Sequence, residues 1–395
     1  MEITEGMHRY AEVLVKIGLD LKEGQAVCIE APVEQSAFAA VLAEEAYRAG
    51  AGRCEILWQC GGTDRVKMLF GETPLYDCNA LAAEFCASLG AGYIRLESPD
   101  LGAFEGIAPD KIAKRARESA AIRGVFRKKA FLAGQTAACV PSQKWADLVY
   151  PDLPEGDRMN ALWQAVLVCA RCDQSDPVGA WKRYLADTAR RKRMLDEKRY
   201  RRFHFCSAKT DLTICPAEGE MWRGSCIPMK DRVPVPNIPT EEIFLAPSKY
   251  QVNGHVVSTK PLNYQGQLIE GISLTFRDGR IVDFGAQKGE ELLKEIIETD
   301  EGSHYLGEMA LVDQASGVAR QNRIFYTTLY DENASCHLAI GNAICQIQDP
   351  EEKERRGYNI SAVHVDFMIG SDDMCVRGQR ENGEWEDIFV NGHWV

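Results

Sequence analysis

The sequence predicts an N-terminal α/β domain with a mostly parallel sheet, followed by a strand-rich α+β domain. Three observations support this fold class. The chain has 395 residues, which suits two domains of ordinary size. Helix-like and strand-like segments alternate through its first half, and after a charged helix the pattern changes to short strands, turns and glycines. We place the boundary near the end of that helix and predict domains 1–200 and 201–395.

The first half carries the pattern of repeated βαβ units. The predicted helices are 2–18, 34–49, 78–89 and most of 109–134, and the predicted strands are 26–30, 54–58, 93–96 and 136–140. Strands that are joined by helical crossovers pair in parallel, so these strands are expected to form an open parallel sheet.

The second half begins after a charged helix predicted over 181–202. The predicted strands that follow are 210–214, 254–257 and a long stretch from 274 to 284. Within the last of these, Asp278-Gly279 lies between two apolar-rich runs, which is typical of a tight β-hairpin turn.

Composition excludes several classes of protein. With 46 Lys and Arg against 58 Asp and Glu, the net charge is −12, which disfavours nucleic acid and anionic membrane as partners. The start lacks the basic and apolar regions of a signal peptide, and no apolar run is long enough to cross a membrane. Fourteen cysteines in such a chain are expected to be reduced thiols. We therefore expect a cytoplasmic protein.

Some short motifs are better explained by structure than by chemistry. Cys169 and Cys172 form a single CxxC late in an apolar helical run, and a zinc ribbon needs a second pair. We interpret them as core cysteines. Gly61-Gly62 lacks the spacing and the lysine of a phosphate-binding loop. Neither a serine-hydrolase nucleophile elbow nor a His-Glu-x-x-His zinc motif is present.

The segment 362–369 places an imidazole and a carboxylate side by side. His364 and Asp366 are two residues apart on a strand-like run, so they share one face while the apolar residues share the other. A carboxylate that faces a core is costly unless it is paired or binds a metal, and borderline divalent metals accept mixed nitrogen and oxygen ligands. A His–Asp pair satisfied within the core is the alternative.

Two acidic segments offer further ligands. Glu241 and Glu242 come just before an apolar strand, and Glu308 lies inside an apolar run. A buried Glu308 needs a cation nearby. The alternatives are a solvated loop for the first pair and an outward-facing edge-strand position for Glu308.

His337 follows a polar run that resembles a helix start. We predict that Asn333 or Ser335 caps a helix and that His337 lies in its first turn. The alternative is a first-turn residue in contact with solvent. Together these segments supply three carboxylates and two imidazoles, the ligand set of a dinuclear hydrolytic site.

The same segments resemble the thermophilic-type metallo-aminopeptidases, the aminopeptidase T and aminopeptidase S family. The matching segments are 237–242, 258–262, 306–308, 331–339 and 364–370. The resemblance implies a C-terminal catalytic domain with metal ligands at Glu242, Glu308, His337, His364 and Asp366. It also implies two divalent ions, with zinc or cobalt expected, and a homodimer whose active site faces an enclosed space. The implied substrates are short peptides with a free N-terminus.

The catalytic roles remain open at this point. A carboxylate must carry the proton of the attacking water, and Glu308 is our choice, with Glu241 or Glu332 as alternatives. The family pattern has a tyrosine seven residues after the histidine, where this chain has Ile344.

In a helix, Ile344 shares a face with His337, and isoleucine cannot donate a hydrogen bond to an oxyanion. Tyr358 is our candidate for that role, and Tyr330 is the alternative. Two other functions stay under consideration, a one-metal oxygenase and a catalytically silent peptide-binding protein on the same scaffold.

Overall fold

The computed structural model describes residues 2–71, 78–108, 111–112, 115, 133–347 and 349–395. The helix predicted over 109–134 lies largely outside the described residues. The chain forms two compact units. Unit 1 contains Met1–Leu185 and Cys226–Thr240, and unit 2 contains Ala186–Ser225 and Glu241–Val395. The predicted boundary at residue 200 stays a prediction.

The helices and strands follow the predicted order through most of the described chain. The α-helices are α1 (Ile3–Val13), α2 (Ser36–Arg48), α3 (Gly61–Phe70), α4 (Cys78–Ser88), α5 (Gln143–Val149), α6 (Glu155–Cys169), α7 (Pro177–Lys198), α8 (Glu290–Ile297), α9 (Thr328–Asp331) and α10 (Pro350–Arg355). The strands are β1 (Ala26–Pro32), β2 (Arg53–Gln59), β3 (Gly92–Glu97), β4 (Gln135–Cys139), β5 (Arg202–Ser207), β6 (Thr210–Pro216), β7 (Arg223–Gly224), β8 (Asn237–Ile238), β9 (Ile243–Leu245), β10 (Pro247–Val257), β11 (Leu262–Tyr264), β12 (Gln267–Ile269), β13 (Ser273–Arg277), β14 (Arg280–Gly285), β15 (Leu306–Leu311), β16 (His337–Gly341), β17 (His364–Met368), β18 (Cys375–Gln379), β19 (Trp385–Val390) and β20 (His393–Trp394).

Unit 1 is built on a parallel sheet in the order β2-β1-β3-β4-β8. Its second strand, β1, is buried at every position from Val27 to Ala31, as expected for a strand covered on both faces. The predicted α/β fold with a parallel sheet is therefore confirmed. Cys169 and Cys172 are fully buried.

Unit 2 is strand-rich, as predicted. An eight-stranded sheet runs in the order β14-β13-β10-β6-β5-β18-β19-β20, and a five-stranded sheet in the order β17-β16-β15-β9-β7. The pairs of the five-stranded sheet are antiparallel. Between β13 and β14, Asp278 and Gly279 have φ of 48° and 83°, the left-handed conformations that a tight hairpin turn requires.

The two faces of the five-stranded sheet differ in character. One face packs into the hydrophobic core of unit 2 through alternate residues of its four longer strands: Ile243, Leu245, Met309, Leu311, Leu338, Ile340, Val365 and Phe367. Because side chains alternate along a strand, the remaining residues of these strands lie on the opposite face. That second face carries the polar side chains that the sequence singled out.

The prediction that His337 begins a helix is wrong. His337–Gly341 is strand β16, and it pairs on one side with β15 and on the other with β17. All five residues of β16 are buried. A five-residue apolar run fits either structure by itself, and here pairing with two neighbouring strands decides. The polar residues before it form a short 3-10 helix, Glu332–Ala334, rather than a helix cap.

Among the described residues, no helix is both long enough and apolar enough to cross a membrane.

Candidate metal centre

Strand register brings the acidic side chains together. Ala339, in the middle of β16, pairs with Glu308 of β15 on one side and with Asp366 of β17 on the other. Paired residues project from the same face of a sheet, so the two carboxylates flank a position that has only a methyl group. Glu308 is 4% exposed and lies on an interior strand, not on an edge. A buried carboxylate in this position requires a cation or a proton.

The imidazoles occupy the two ends of the same face. His337 begins β16 opposite Ala310, and His364 begins β17 opposite Gly341. Ala310 and Gly341 are small, and Met368 of β17 is the second neighbour of His337 on this face. Glu242, which directly precedes β9, approaches from the next strand, with its carboxylate 3.1 Å from Nε2 of His337.

The five side chains form two groups that share one residue. Glu242, Glu308 and His337 make the first group, and Glu308, His364 and Asp366 make the second, with potential ligand atoms within 4.8 Å of one another in each. Oε1 of Glu308 lies 3.6 Å from Nε2 of His337, and its Oε2 lies 3.7 Å from Nε2 of His364. Nε2 of His364 is 3.3 Å from Asp366. Glu308 therefore presents one oxygen to each group.

Backbone carbonyls fix the tautomers of both rings. Nδ1 of His337 lies 3.2 Å from the Ser335 carbonyl, and Nδ1 of His364 lies 2.8 Å from the Asn342 carbonyl. A carbonyl can only accept, so Nδ1 carries the proton in each ring. In the neutral rings, both Nε2 lone pairs then face carboxylate oxygens.

A cation bound between these imidazole nitrogens and carboxylate oxygens removes the unfavourable contact between hydrogen-bond acceptors. Nε2 of His337 and Oε2 of Glu308 are buried and satisfy no hydrogen bond within the described residues, although charged groups approach them. Imidazole nitrogen and carboxylate oxygen are ligands that divalent transition metals accept. The donor set, its tautomers and these two buried atoms therefore fit a metal ion in each group.

The electrostatics indicate the same need for positive charge. Burial raises the pKa of Glu308 to about 7, and the carboxylates of Glu242 and Asp366 act in the same direction. Burial opposes protonation of His364, but Asp366 and Glu308 outweigh it and raise its pKa to about 10. Burial likewise opposes protonation of His337, whose pKa the carboxylates of Glu242 and Glu308 raise well above its ordinary value.

Glu332, in the short 3-10 helix ahead of β16, interacts electrostatically with this cluster. Burial raises its pKa well above the ordinary value, and the charges of Asp366 and Glu242 add to the effect. The sequence identified Glu332 only as an alternative proton carrier.

The loops around Glu332 depend on residues that sequence reasoning missed or named for another role. Asn333, predicted as a helix cap, instead accepts a hydrogen bond from the Glu241 backbone N–H at 2.6 Å and donates to the Leu329 carbonyl. Asp331 accepts from the backbone N–H groups of Phe325 and Thr327. The only available signal was the density of polar residues in 331–335.

The tyrosines considered for catalysis have other contacts. The hydroxyl of Tyr358 donates to Glu220 at 2.6 Å, and Tyr330 is fully buried with its ring 4.9 Å from that of Phe325. Ile344 lies beyond the end of β16 and is 45% exposed. The expectation that Ile344 shares a helical face with His337 is wrong, because β16 is a strand. The catalytic role of Tyr358 stays a prediction.

Asp300 fixes the turn that leads into β17. Its carboxylate accepts hydrogen bonds from the backbone of Ala362 at 2.6 Å, the hydroxyl of Ser361 at 2.8 Å and the backbone of Ser303 at 2.9 Å. Burial acts to raise the pKa of Asp300, but these hydrogen bonds outweigh it and hold the pKa below its usual value.

We expect Asp300→Ala to lower the free energy of unfolding by about 0.5–1.5 kcal/mol at pH 7, because donors that are exposed or only partly buried lose their acceptor. The folded-state pKa is lowered, so the stabilisation is present above the unfolded pKa of about 4 and is lost as the pH falls through the folded value. Urea unfolding at pH 7 and pH 3 should show the difference from wild type shrinking in acid. Asp283→Ala, at an exposed position on β14, is the control. A difference that is the same at both pH values contradicts this role.

Comparison with known proteins agrees with the geometry. The family described as Thermophilic metalloprotease (M29) matches residues 3–394. Aminopeptidase T of Thermus aquaticus is 38% identical, over 99% of both chains. Aminopeptidase 2 of Geobacillus stearothermophilus is 37% identical, over 98% of this chain and 97% of the other.

Solved structures give a similar result. The structure described as wild-type AmpT from Thermus thermophilus superimposes with a TM-score of 0.92 at 33% identity, over 99% of both chains. A 2,5-dihydroxypyridine dioxygenase from Pseudomonas putida KT2440 gives a TM-score of 0.53 at 12% identity, a likeness of fold alone.

A buried cluster of carboxylates and imidazoles, together with these relatives, defines a metallopeptidase. The chain belongs to the thermophilic metalloprotease family, a family of metallo-aminopeptidases, and is a hydrolase of peptide bonds.

Proposed function

We propose that this protein is an aminopeptidase that uses two divalent metal ions to remove N-terminal residues from short peptides. The observation that carries the proposal is the pair of ligand groups that share Glu308. Glu242 and His337 complete one group, and His364 and Asp366 complete the other. Zinc or cobalt suits these nitrogen and oxygen ligands.

Ions bound in the two groups supply Lewis-acid chemistry, polarising the scissile carbonyl and acidifying a water molecule. The side chains of the protein hold and orient the reactants. The two oxygens of Glu308 face different imidazoles, so its two predicted roles, as ligand and as proton carrier, compete for the same atoms. We therefore assign proton transfer to Glu332, which accepts the proton of the attacking water and passes it to the leaving nitrogen.

The aminopeptidase relatives support cleavage at the amino end. Four carboxylates, those of Glu242, Glu308, Glu332 and Asp366, interact with one another across the cluster. Two divalent ions carry four positive charges, so they would offset these four carboxylates and leave the site without a large net charge.

The surroundings proposed for the enzyme follow from the sequence and the resemblance. All fourteen cysteines are free, which supports a reducing compartment, and we propose the cytoplasm. We also propose a homodimer whose active site faces an enclosed space, on the strength of the resemblance to the family.

Digestion of a peptide panel tests the function. Peptides with a free N-terminus and their N-acetylated counterparts are incubated with zinc, cobalt, manganese or magnesium, or with EDTA. We expect stepwise release of the first residue from the free peptides alone, lost with EDTA and restored by metal. The same digestion with Glu308→Gln is the blank. No release from any free peptide under any metal contradicts the proposal.

A further inference from the structure

Among the described strand residues of the five-stranded sheet, one arginine lies on the same face as the candidate ligands. Arg223 of β7 pairs with Phe244 of β9, Phe244 pairs with Ala310 of β15, and Ala310 pairs with His337 of β16. Because paired residues share a face, Arg223 projects from the face that carries the acids and imidazoles. It occupies the outermost strand of this sheet.

The guanidinium of Arg223 is held in place from two sides. One Nη is 3.0 Å from Glu220, whose side chain is 2% exposed, and the other Nη donates to the carbonyl of Ile344. Tyr358 and the backbone N–H of Ala246 donate to the same Glu220 carboxylate. A buried carboxylate with several donors is a rigid anchor, so the arginine is preorganised.

The anchored arginine keeps hydrogen-bonding capacity for a ligand. Its side chain is 23% exposed, and within the described residues its Nε–H has no acceptor. A guanidinium carries five N–H donors in a fork that matches a carboxylate. A fixed guanidinium that retains a donor at the outer edge of this face is suited to the carboxylate end of a peptide.

We propose that Arg223 binds the C-terminal carboxylate of peptides of about three residues. This inference rests on the proposed function, which places the amino end of the peptide at the ligand groups. From β15 to β7 there are two strand intervals, roughly 10 Å at about 4.8 Å each. An extended peptide covers about 3.3 Å per residue, so about three residues span the separation of these strand backbones.

The test compares peptides that differ only in C-terminal charge. Leu-Gly-Gly and its C-terminal amide are hydrolysed by the wild-type protein, Arg223→Gln and Arg223→Lys, and kcat/KM is measured. We expect the wild type to prefer the free acid by about 10–100-fold, the size of a charge-assisted hydrogen bond. In Arg223→Gln, the ratio of kcat/KM for the free acid to kcat/KM for the amide should fall to about one. The value of kcat/KM for the amide itself should be retained. Arg223→Lys should keep part of the preference.

A purely structural arginine gives a different result. If Arg223 acts only by holding the Ile344 loop, its loss lowers the rates on acid and amide equally, which overturns the proposal. An unchanged preference in Arg223→Gln overturns it as well. Arg377→Gln, an arginine on β18 that pairs with Asp387, is the matched control and should behave as wild type.

Calorimetry separates this proposal from the proposed function. The free acid and the amide are titrated into metal-free wild type and Arg223→Gln. Tighter binding of the acid by the wild type alone supports Arg223 even if no peptide is cleaved. Equal binding of acid and amide by the wild type overturns the carboxylate site while leaving the aminopeptidase proposal intact.

Discussion

Glu308→Gln is expected to lower kcat/KM for peptide hydrolysis by at least about 10³-fold. Glu308 belongs to both ligand groups, so an amide at this position weakens both ion sites at once. Metal-bound reactants are stabilised by several kcal/mol in the transition state, and each 1.4 kcal/mol is about tenfold in rate. Peptide hydrolysis at saturating zinc and cobalt measures the effect.

The same substitution is expected to stabilise the metal-free fold. Burial and neighbouring carboxylates raise the pKa of Glu308 to about 7. At pH 8 the ionised, buried Glu308 therefore lowers the free energy of unfolding of the metal-free protein. Because the folded-state pKa is raised, this cost is absent in acid and grows as the pH rises from about 4 to about 7. We expect a higher Tm for metal-free Glu308→Gln than for wild type at pH 8, with the difference vanishing near pH 4.

The control for both measurements is Glu301→Gln, whose exposed carboxylate pairs with Arg280. It should retain full activity. Activity of Glu308→Gln within tenfold of wild type, or a lower metal-free Tm at pH 8, contradicts the assignment.

Glu332→Gln is expected to reduce kcat by about 10²–10⁴-fold, the usual contribution of a positioned general base. The amide occupies nearly the same space but cannot accept the proton of the attacking water. Burial and the nearby carboxylates raise the pKa of Glu332, and the group must be ionised to act. The wild-type kcat should therefore rise with pH over the range in which Glu332 loses its proton. The kcat of Glu332→Gln should not show this rise.

Metal content separates this role from ligation. Glu332→Gln should bind the same number of ions as wild type, measured by elemental analysis after dialysis. Glu354→Gln, at an exposed position on α10, is the matched control for the loss of one carboxylate. Loss of bound metal in Glu332→Gln, or an unchanged kcat, contradicts the assignment of proton transfer to this residue.

Local patterns were sufficient to predict much of the fold. Alternation of helix and strand in unit 1 predicts a parallel sheet, because strands that are joined by a helical crossover pair in parallel. Asp278-Gly279 predicts its hairpin because the turn needs left-handed conformations. The last strand of that sheet, β8, comes from residues 237–238, far along the chain. Two residues are too few to show an alternating pattern, so the sequence did not predict this strand.

The candidate site was predictable in its residues but not in its geometry. His364 and Asp366 share a face whenever their segment is a strand, so their proximity follows from the sequence. The helix predicted at His337 failed because a polar run resembles a cap, whereas pairing with β15 and β17 depends on distant segments. Burial of Glu308 depends on the same distant strands.

Arg223 shows the limit of local reasoning most clearly. It lies in a two-residue strand, and nothing around it in the sequence distinguishes it from a surface arginine. Only the register of four strands places it on the face of the ligand groups.

Anomalous diffraction from crystals grown with zinc tests the central claim most directly. We predict two peaks in each chain, one among Glu242, Glu308 and His337 and one among Glu308, His364 and Asp366. A single peak, or peaks that avoid Glu308, contradicts the two-ion site.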